Sequence, residues 1–203
     1  MSDRKTEIIE AAADLLQSGS FSSFSYQDIS DILGIRKASI HHHFRTKEDL
    51  GIALAEYYRE WYKARLDEIT QLYDQPWDRL EAYLAVASDI MLSDGKICPA
   101  GAFQPEHNVL PERVRTGING MMQYVRGWLA GVLTKGRSVG TIEFQGKPEA
   151  QAALIMAALQ GSLQNARSEG PQLYRAVVGQ IRAGMKPRTR SATPPRSSPP
   201  SGG

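Results

Sequence analysis

The stretch that decides the fold is residues 24–50, FSYQDISDILGIRKASIHHHFRTKEDL. Ser25 precedes an amphipathic segment and Asp28 follows three positions later, which is the pattern of a capping box at the start of a helix. Gly34 is expected to end that helix, because glycine readily adopts the left-handed conformation that closes many helices. A second short helix is predicted from Lys37 to Phe44. A helix, a glycine turn and another helix together predict a helix-turn-helix unit.

The apolar spacing on both sides of this stretch is also helical. Helices are predicted over residues 4–17, from Thr46 to about Leu72, from Pro76 to the Asp94-Gly95 pair, from Pro111 to about Lys135, from Glu149 to Arg167 and from Pro171 to about Met185. Residues 96–111, KICPAGAFQPEHNVLP, contain three prolines and are predicted to form a loop with at most a short helix. Residues 136–147 are a second predicted loop. No convincing strand pair is found, so the predicted class is all-α with about nine helices.

The composition is that of an ordinary soluble globular protein, with 41% hydrophobic and 23% charged residues. No apolar run approaches the length of a membrane span, and the opening MSDRKTEIIE lacks the apolar core of a secretion signal. The single cysteine, Cys98, cannot form an internal disulfide. These features predict a cytoplasmic protein with no membrane partner.

Positive charge is concentrated around the predicted helix from Lys37 to Phe44. The net charge of the chain is +2, but the last eighteen residues alone carry +4, so residues 1–185 sum to −2. No acidic residue lies between Asp31 and Glu48. The cations in that interval are Arg36, Lys37, Arg45 and Lys47. A local positive stripe of this kind favours contact with nucleic-acid phosphates.

Three of the four histidines, His41, His42 and His43, are consecutive. Neighbouring helical residues point about 100° apart, so these side chains cannot close on one ion. His107 is far away in sequence, and neither a cysteine nor an HExxH spacing lies near the triplet to complete a site. We therefore predict no metal site and no cofactor.

The triplet fits a DNA-contacting helix better. Ile40 and Phe44 share one face and would dock the helix on its neighbour, which leaves the polar side chains for solvent. Short polar and cationic side chains on such a face reach base edges and phosphates, and histidine donates to either. The alternative is a set of solvated polar residues without a partner.

These residues resemble the DNA-binding module of TetR-family transcriptional regulators. The positions that match the family pattern in order and spacing are Ser25, Ile29, Ile32, Gly34, Ile40, His43, Phe44, Lys47, Glu48 and Leu50. The resemblance is strongest over residues 5–55, whereas the later helices match in number and length only. Two positions that are usually tyrosines in the family are His41 and His42 here, which predicts a mild pH sensitivity of binding.

The resemblance implies three parts in the chain. Residues 1–50 would form the helix-turn-helix DNA-binding domain, and residues 51–185 would form a helical ligand-binding and dimerisation domain. Residues 186–203 are rich in Pro, Ser and Gly and are predicted to be a disordered tail. The implied function is that of a homodimeric repressor, bound to a pseudo-palindromic double-stranded DNA operator and released by a small-molecule effector.

The resemblance also implies roles for individual side chains. Ser25, Tyr26 and Gln27 are expected to meet the phosphate backbone, with Gln27 within reach of a base. The residues expected to face the major groove are Lys37, Ala38, Ser39, His41 and His42, with Arg36 beside them. His43 and Lys47 are expected to hold phosphates.

Dimerisation is expected through the last two helices. The helix from Glu149 to Arg167 is dense in small residues, which permits close backbone approach, and Leu173, Val177 and Ile181 form a continuous stripe on its partner. Pairing both helices with their symmetry mates gives a four-helix interface. Packing of these helices wholly within one chain is the alternative.

An effector site is predicted where aromatic and Met side chains bracket the proline-broken loop. Its predicted members are Trp61, Tyr62, Met91, Cys98, Phe103, Glu106, His107, Met121, Tyr124 and Trp128. A plain hydrophobic core is the alternative for any one of them. The sequence does not name the effector, the operator or the regulated genes, nor does it separate a repressor from an activator.

Cys98 allows further interpretations. The segment around Cys98 resembles a subgroup of the family with a cysteine, Gly and Glu at similar spacing, in which small organic molecules or thiol-reactive compounds are sensed, so a redox or electrophile sensor is one alternative. A small buried hydrophobe is another. An enzyme with Cys98 as nucleophile, His107 as base and Glu106 assisting is the alternative from a different class, but this spacing is unspecific and we predict no catalysis. A purely architectural DNA-binding protein would not need so large a second domain.

Overall fold

The structure of the chain is a computed structural model that describes residues 3–92 and 96–186 and, of residues 87–92, the backbone alone. The described residues form nine α-helices: α1 (Arg4–Ser18), α2 (Tyr26–Leu33), α3 (Lys37–His43), α4 (Lys47–Leu72), α5 (Pro76–Leu92), α6 (Pro99–Phe103), α7 (Glu112–Ser138), α8 (Pro148–Glu169) and α9 (Pro171–Met185). A 3₁₀ turn, Gln104–Glu106, follows α6. No strand occurs in this part of the chain, and the all-α prediction is confirmed. Residues 187–203 of the predicted tail lie outside the described residues.

Helices α1, α2 and α3 form a compact module whose core is built from α1 and the two short helices. Ile8, Ile29 and Ile40 are fully buried there. The predicted capping box at Ser25 is present, because its side chain accepts the Gln27 N–H while the Asp28 carboxylate accepts the Ser25 N–H at 2.7 Å. Gly34 ends α2 with φ 63°, as its position in the sequence predicted.

Helix α4 runs without a break through the predicted domain boundary at residue 50. The capping box at its start, between Thr46 and Asp49, matches the one at α2. Gly51 on this helix has no room for a side chain, since a Cβ would lie 2.8 Å from Cζ of Phe21 and 3.0 Å from Cγ2 of Val114. The module therefore packs directly against the larger helical layer, and both share one hydrophobic core.

The larger layer consists of α4, α5, α7, α8 and α9. Helix α7 lies centrally and packs on α4, α5 and α8, while α9 packs on α8. Helix α7 extends to Ser138, beyond the predicted end at Lys135. Gly136 does not stop the helix, because it makes room for Ile142: a Cβ on Gly136 would lie 2.5 Å from Cδ1 of Ile142. None of the helices in the described ranges is long and apolar enough to cross a membrane.

The proline-broken segment contains the short helix that the sequence allowed. Pro99 begins α6, in the first-turn position where proline costs no hydrogen bond. All five residues of α6 are buried. The helix lies against α1 and α7, so it is a packed element between the module and the larger layer.

Candidate DNA-binding face and effector cavity

The solvent side of α3 is the candidate DNA-binding surface. Ile40 is fully buried and Phe44, which follows the helix, is nearly so. This anchoring turns four side chains outward as the recognition face, which we define as Lys37, Ala38, His41 and His42, all exposed. Ser39 and His43 are half-buried at the edges of the helix. A helix of this kind, docked by apolar side chains and open on its polar side, is suited to enter a major groove.

Cations flank the recognition face. Arg36 and Arg45 are exposed at the two ends of α3. Among the described residues, neither these two side chains nor Lys37 forms an ion pair. Their charge is therefore available to neutralise phosphates on both sides of a groove.

The rings of the histidine triplet make two edge-on contacts, one with Tyr26 and one within the triplet. The His41 ring packs edge-on against Tyr26 at 4.8 Å between centroids, and its Nδ1 lies 3.3 Å from the carbonyl oxygen of Arg45. The rings of His42 and His43 meet edge-on at 5.3 Å. His41 is thus held against the module, whereas His42 is the more freely presented member of the recognition face.

Tyr26 secures the turn between α3 and α4. Its hydroxyl lies 2.6 Å from the carbonyl oxygen of Thr46 and 3.0 Å from that of Phe44, and so donates to this turn. Burial, with the charge of Asp49 adding to it, raises the pKa of Tyr26 to about 12. The hydroxyl stays protonated and is engaged inside the module, so the phosphate contact expected for Tyr26 competes with this bond and remains a prediction.

The other two residues at the start of α2 are also engaged locally. The Ser25 hydroxyl lies 2.8 Å from the Asp28 carboxylate, and the Gln27 amide donates to Asp31 at 2.6 Å. Hydrogen bonds from Ser25 hold the pKa of Asp28 below its usual value. Ser25 and Gln27 are nevertheless exposed, so their expected DNA contacts remain predictions that require rearrangement of these bonds.

Lys47 has a structural role that the sequence did not suggest. Its ammonium donates to the carbonyl oxygen of Phe24 and lies 5.0 Å and 4.5 Å from the ring centroids of Phe21 and Phe24. Burial lowers the pKa of Lys47, while the nearby carboxylates of Glu106 and Asp28 act in the opposite direction. Lys47 therefore ties α4 to the loop before α2, and a phosphate would have to compete for its ammonium.

A cavity of about 40 Å³ lies between the helices of the larger layer. Its lining comes from α4, α5, α7, α8 and the residue before α6: Tyr62, Tyr83, Val86, Cys98, Met122, Val125, Met156, Leu159, Gln160 and Leu163. Of the predicted effector residues, Tyr62 and Cys98 are in this set. None of the described side chains in this set is acidic or basic.

The cavity contains a few polar groups on an apolar wall. The Tyr62 hydroxyl lies 3.4 Å from Sγ of Cys98. Burial raises the pKa of both Tyr62 and Tyr83 well above the usual tyrosine value, so both phenols stay neutral. Nε2 of Gln160 is buried and finds no hydrogen-bond partner in the described part of the chain.

The remaining predicted effector residues lie elsewhere. Phe103 packs on Phe21 with ring centroids 5.6 Å apart, Met121 is buried in the core, and the indole of Trp128 donates to Thr70 at 3.0 Å. His107 and Tyr124 are exposed. The Met91 side chain lies outside the described residues. The prediction grouped Phe103, His107, Met121, Tyr124 and Trp128 because they are near the loop in sequence or aromatic, but helix phase turns their side chains to other faces.

Trp61 lines a different space, a wide groove of about 610 Å³ between α1, α4 and α5. The groove is larger than the cavity, but it is open to solvent and carries charged residues such as Glu10, Asp14 and Arg65. Part of its α5 wall borders side chains outside the described residues. The cavity is the better candidate for an effector site, because its described lining is mostly apolar with a few polar groups, whereas charged side chains line the groove.

Helix α6 joins the cavity to the DNA-binding module. Just before it, the Ile97 N–H donates to the Gln17 carbonyl oxygen at 3.0 Å, and the Gln17 amide donates to the Ile97 carbonyl oxygen at 3.1 Å. Just after it, the Glu106 carboxylate accepts the Ser22 N–H and hydroxyl, both at 2.9 Å. Glu106 therefore belongs to this contact and not to the cavity. We call residues 97–106 the α6 bridge.

The arrangement gives no support to a cysteine–histidine enzyme. The thiol of Cys98 contacts Tyr62 at the cavity, whereas His107 is exposed after the 3₁₀ turn and Glu106 is engaged by Ser22. Nucleophilic catalysis needs a base within hydrogen-bond reach of the nucleophile. The geometry instead defines a helix-turn-helix DNA-binding protein with a second helical layer.

Comparison with known proteins identifies the family. Residues 8–54 match the model of "Bacterial regulatory proteins, tetR family". The crystal structure of a TetR-family transcriptional regulator from Agrobacterium tumefaciens is 30% identical, with 90% of this chain and 97% of that chain covered and a TM-score of 0.86. The chain belongs to the TetR family of transcriptional regulators.

Two curated relatives are more distant. The transcriptional regulator AcuR of Cereibacter sphaeroides is 25% identical over 80% of this chain and 75% of its own. The transcriptional repressor NemR of Escherichia coli is 25% identical over 76% of this chain and 79% of its own. The crystal structure of reduced NemR has the same fold, with a TM-score of 0.79 at 22% identity over 92% of this chain and all of that one. TetR-family repressors bind operator DNA as dimers under the control of small-molecule effectors, and the chain is a DNA-binding regulator of this kind.

Proposed function

We propose that this protein represses transcription in the cytoplasm by inserting α3 of each subunit into successive major grooves of a pseudo-palindromic operator. The observation that carries the proposal is the recognition face itself, an exposed set with Lys37, His41 and His42 on a helix whose other side is buried. Arg36 and Arg45 would position the helix on phosphates, while Lys37 and His42 would read bases. Residues 1–50 would serve as the DNA-binding domain and residues 51–185 as the effector domain, with α4 connecting the two.

The dimer would form through exposed sides of α8 and α9. Leu154 is 61% exposed, and Ala157 and Gly161 are exposed on the same side of α8. On α9, Ala176 and Gly179 are exposed, and a Cβ on either Gly161 or Gly179 would meet nothing within 4 Å. Small exposed side chains allow two such helices to approach their symmetry mates closely and to form a four-helix interface.

Effector control would act through the α6 bridge. An occupant of the cavity touches Cys98 at the start of α6, and the bridge is bonded to the DNA-binding module at Gln17 and Ser22. A ligand that shifts α6 would move these contacts and change the separation of the two recognition helices. Operator affinity would fall by the difference in the ligand's binding free energy between the DNA-binding conformation and the conformation with α6 shifted.

A thiol sensor is the second candidate, because Cys98 lies at the cavity with its Sγ beside the Tyr62 hydroxyl. In that case oxidation or alkylation of Sγ would replace ligand binding as the trigger. Operator binding of the wild type and of Cys98→Ser, each with and without diamide, separates the two. Loss of binding that needs the thiol and is reversed by dithiothreitol supports the sensor, and an equal response of both proteins rejects it.

Selection of binding sites from random duplexes tests the main proposal. The expected product is a sequence with two-fold symmetry, protected in footprinting on one face of the duplex by a dimer. Enrichment of asymmetric sites, or of no site above background at physiological salt, would reject it.

A further inference from the structure

Gln160 provides the observation on which the chemical class of the effector can be argued. Gln160 lines the cavity, and its Nε2 is buried without a hydrogen-bond partner among the described residues. An unpaired buried donor destabilises the fold, so a native structure keeps one only where something compensates. An acceptor atom on a molecule in the cavity would supply that compensation.

The neighbouring turn of α8 offers a contrast. Gln164, four residues further on, donates through Nε2 to the carbonyl oxygen of Gly101 at 3.3 Å. A Cβ on Gly101 would lie 3.4 Å from Nε2 of both glutamines, so both amides reach the same point of α6. One amide therefore fastens α6 to α8, and the other reaches the same place with its donor unused.

The remaining wall limits the charge of the occupant. The other lining groups are two neutral phenols, the Cys98 thiol and apolar side chains of Val, Met and Leu. Among the lining side chains that the structure describes, none is cationic or anionic. A carboxylate or an ammonium would lose its hydration without a counter-ion, which costs several kcal/mol.

The volume limits the size. A space of about 40 Å³ has room for roughly three water molecules, since each needs about 10–15 Å³ on this measure. Met122 and Met156 line it, and the unbranched thioether adapts its rotamers more readily than other apolar side chains. A compact ligand of a few heavy atoms can be admitted by shifts of these two residues, whereas a large polar molecule would break the α7–α8 packing.

We infer that the cavity takes a small, uncharged, mostly apolar molecule with one carbonyl-type oxygen, which accepts a hydrogen bond from Nε2 of Gln160. The inference rests on the proposed function, since it names the effector class for the same cavity. The apolar body of the molecule lies against Met122, Met156 and Leu163, and its oxygen is directed at the junction of α8 with α6.

Three matched probes test the class on the full-length dimer: cyclopentanone, cyclopentane and cyclopentanecarboxylate. Binding is followed by the ¹³C-methyl signals of methionine, because Met122 and Met156 line the cavity while Met185 is buried at the end of α9 and serves as an internal control. The ketone is expected to shift the signals of Met122 and Met156 and to bind at least ten times more tightly than the hydrocarbon. The carboxylate is expected not to bind.

Variants of Gln160 test whether the preference for the ketone over the hydrocarbon depends on the Gln160 amide. In Gln160→Leu, which replaces the amide with an apolar side chain and so removes the donor, the ketone should lose its advantage while cyclopentane binding is unchanged. Gln164→Leu is the matched control, since it loses the bond to Gly101 and should keep the preference for the ketone. Gln160→Met replaces the first variant if Gln160→Leu does not fold.

Any of three results would overturn the inference. The wild type could bind ketone and hydrocarbon equally, it could bind the carboxylate more strongly, or no probe could shift the methionine signals. Unchanged ketone preference in both Gln160 variants would also overturn it. The proposed function fails separately: if the ketone binds as expected but leaves operator affinity unchanged at saturation, the cavity is a binding site without control over DNA.

Discussion

The recognition face and the cavity are built in opposite ways. The recognition face comes from one helix of seven residues, held by two local anchors, and its polar side chains point to solvent. The cavity takes its lining from residues as far apart as Tyr62 and Leu163, on four long helices and the residue before α6. A DNA-reading surface can therefore be encoded locally, whereas an effector site depends on how distant helices meet.

The largest expected effect is dissociation of the dimer, which brings the recognition faces of two subunits together on one operator. In Gly161→Arg, the monomer has room for the new side chain but the α8–α9 interface does not, so the dimer should dissociate. Loss of the second recognition helix should lower operator affinity by roughly 10²-fold or more. Light scattering and fluorescence anisotropy measure the two effects.

Gly127→Arg is the matched control, since Gly127 is also an exposed helical glycine whose Cβ would meet nothing within 4 Å. It lies on α7 and should leave the dimer intact. If Gly127→Arg gives a monomer and Gly161→Arg does not, the interface lies on α7, and our assignment to α8 and α9 is wrong.

The link between the two regions should show the next largest effect. Glu106→Ala removes the acceptor of the Ser22 N–H and hydroxyl, and hydrogen bonds to a charged group contribute about 1.5–3 kcal/mol. The free energy of unfolding in urea should fall by an amount in this range. Cyclopentanone should still bind in the cavity of this variant but should change operator affinity less than in the wild type.

Glu60→Ala controls for the loss of a surface carboxylate, because Glu60 pairs only at the surface with Arg59 at 3.2 Å. Exposed pairs of this kind contribute about 0–1 kcal/mol, so its stability should change little. An equal and small loss in both variants would mean that the α6 bridge is not fastened at Ser22, and the coupling proposal would lose its basis.

The contrast between the two regions also explains what the sequence could predict. The capping box at Ser25, the start of α4 at Thr46 and the turn at Gly34 depend on residues within four positions of one another, and the structure confirms all three. The outward direction of His42 follows from the burial of Ile40, which helical spacing alone establishes. These are local relations, and local patterns are sufficient for them.

The cavity was predicted only in part. Tyr62 and Cys98 line it, but no sequence pattern indicates Gln160 and Met156, because the small residues of α8 predict a helix that packs against another helix. Glu106 was grouped with the cavity because it follows the same loop as Cys98, yet α6 carries it across to the module. Sequence proximity does not specify on which side of a five-residue helix a side chain emerges.

The smallest expected effect tests a locally encoded feature, the cap of α4 at Thr46. Thr46→Ala removes the hydroxyl that caps α4 and should lower the free energy of unfolding at pH 7 by about 1 kcal/mol. Hydrogen bonds from Thr46 hold the pKa of Asp49 below its usual 3.8, so their stabilisation is present above that pH and is lost as pH falls through the lowered pKa. The difference between wild type and variant should narrow in acid.

Chemical denaturation at pH 7 and near pH 3 measures this difference. Ser168→Ala is the control, because its hydroxyl bonds the Asn165 carbonyl oxygen near the end of α8 and caps no helix start. A Thr46 effect that is the same at both pH values would show that the carboxylate of Asp49 takes no part in the cap.

The most direct test of the central claim is a competition titration on the selected operator and a scrambled duplex, with wild type and a Lys37→Ala/His42→Ala double variant. The wild type should prefer the operator by about 10³-fold or more. The double variant should lose at least tenfold of that preference, equivalent to about 1.4 kcal/mol, while it remains dimeric and folded. Lys63→Ala, on the surface of α4 and paired with Asp67 at 3.6 Å, should behave as wild type. A double variant that keeps the full preference would contradict the assignment of α3 as the helix that reads DNA.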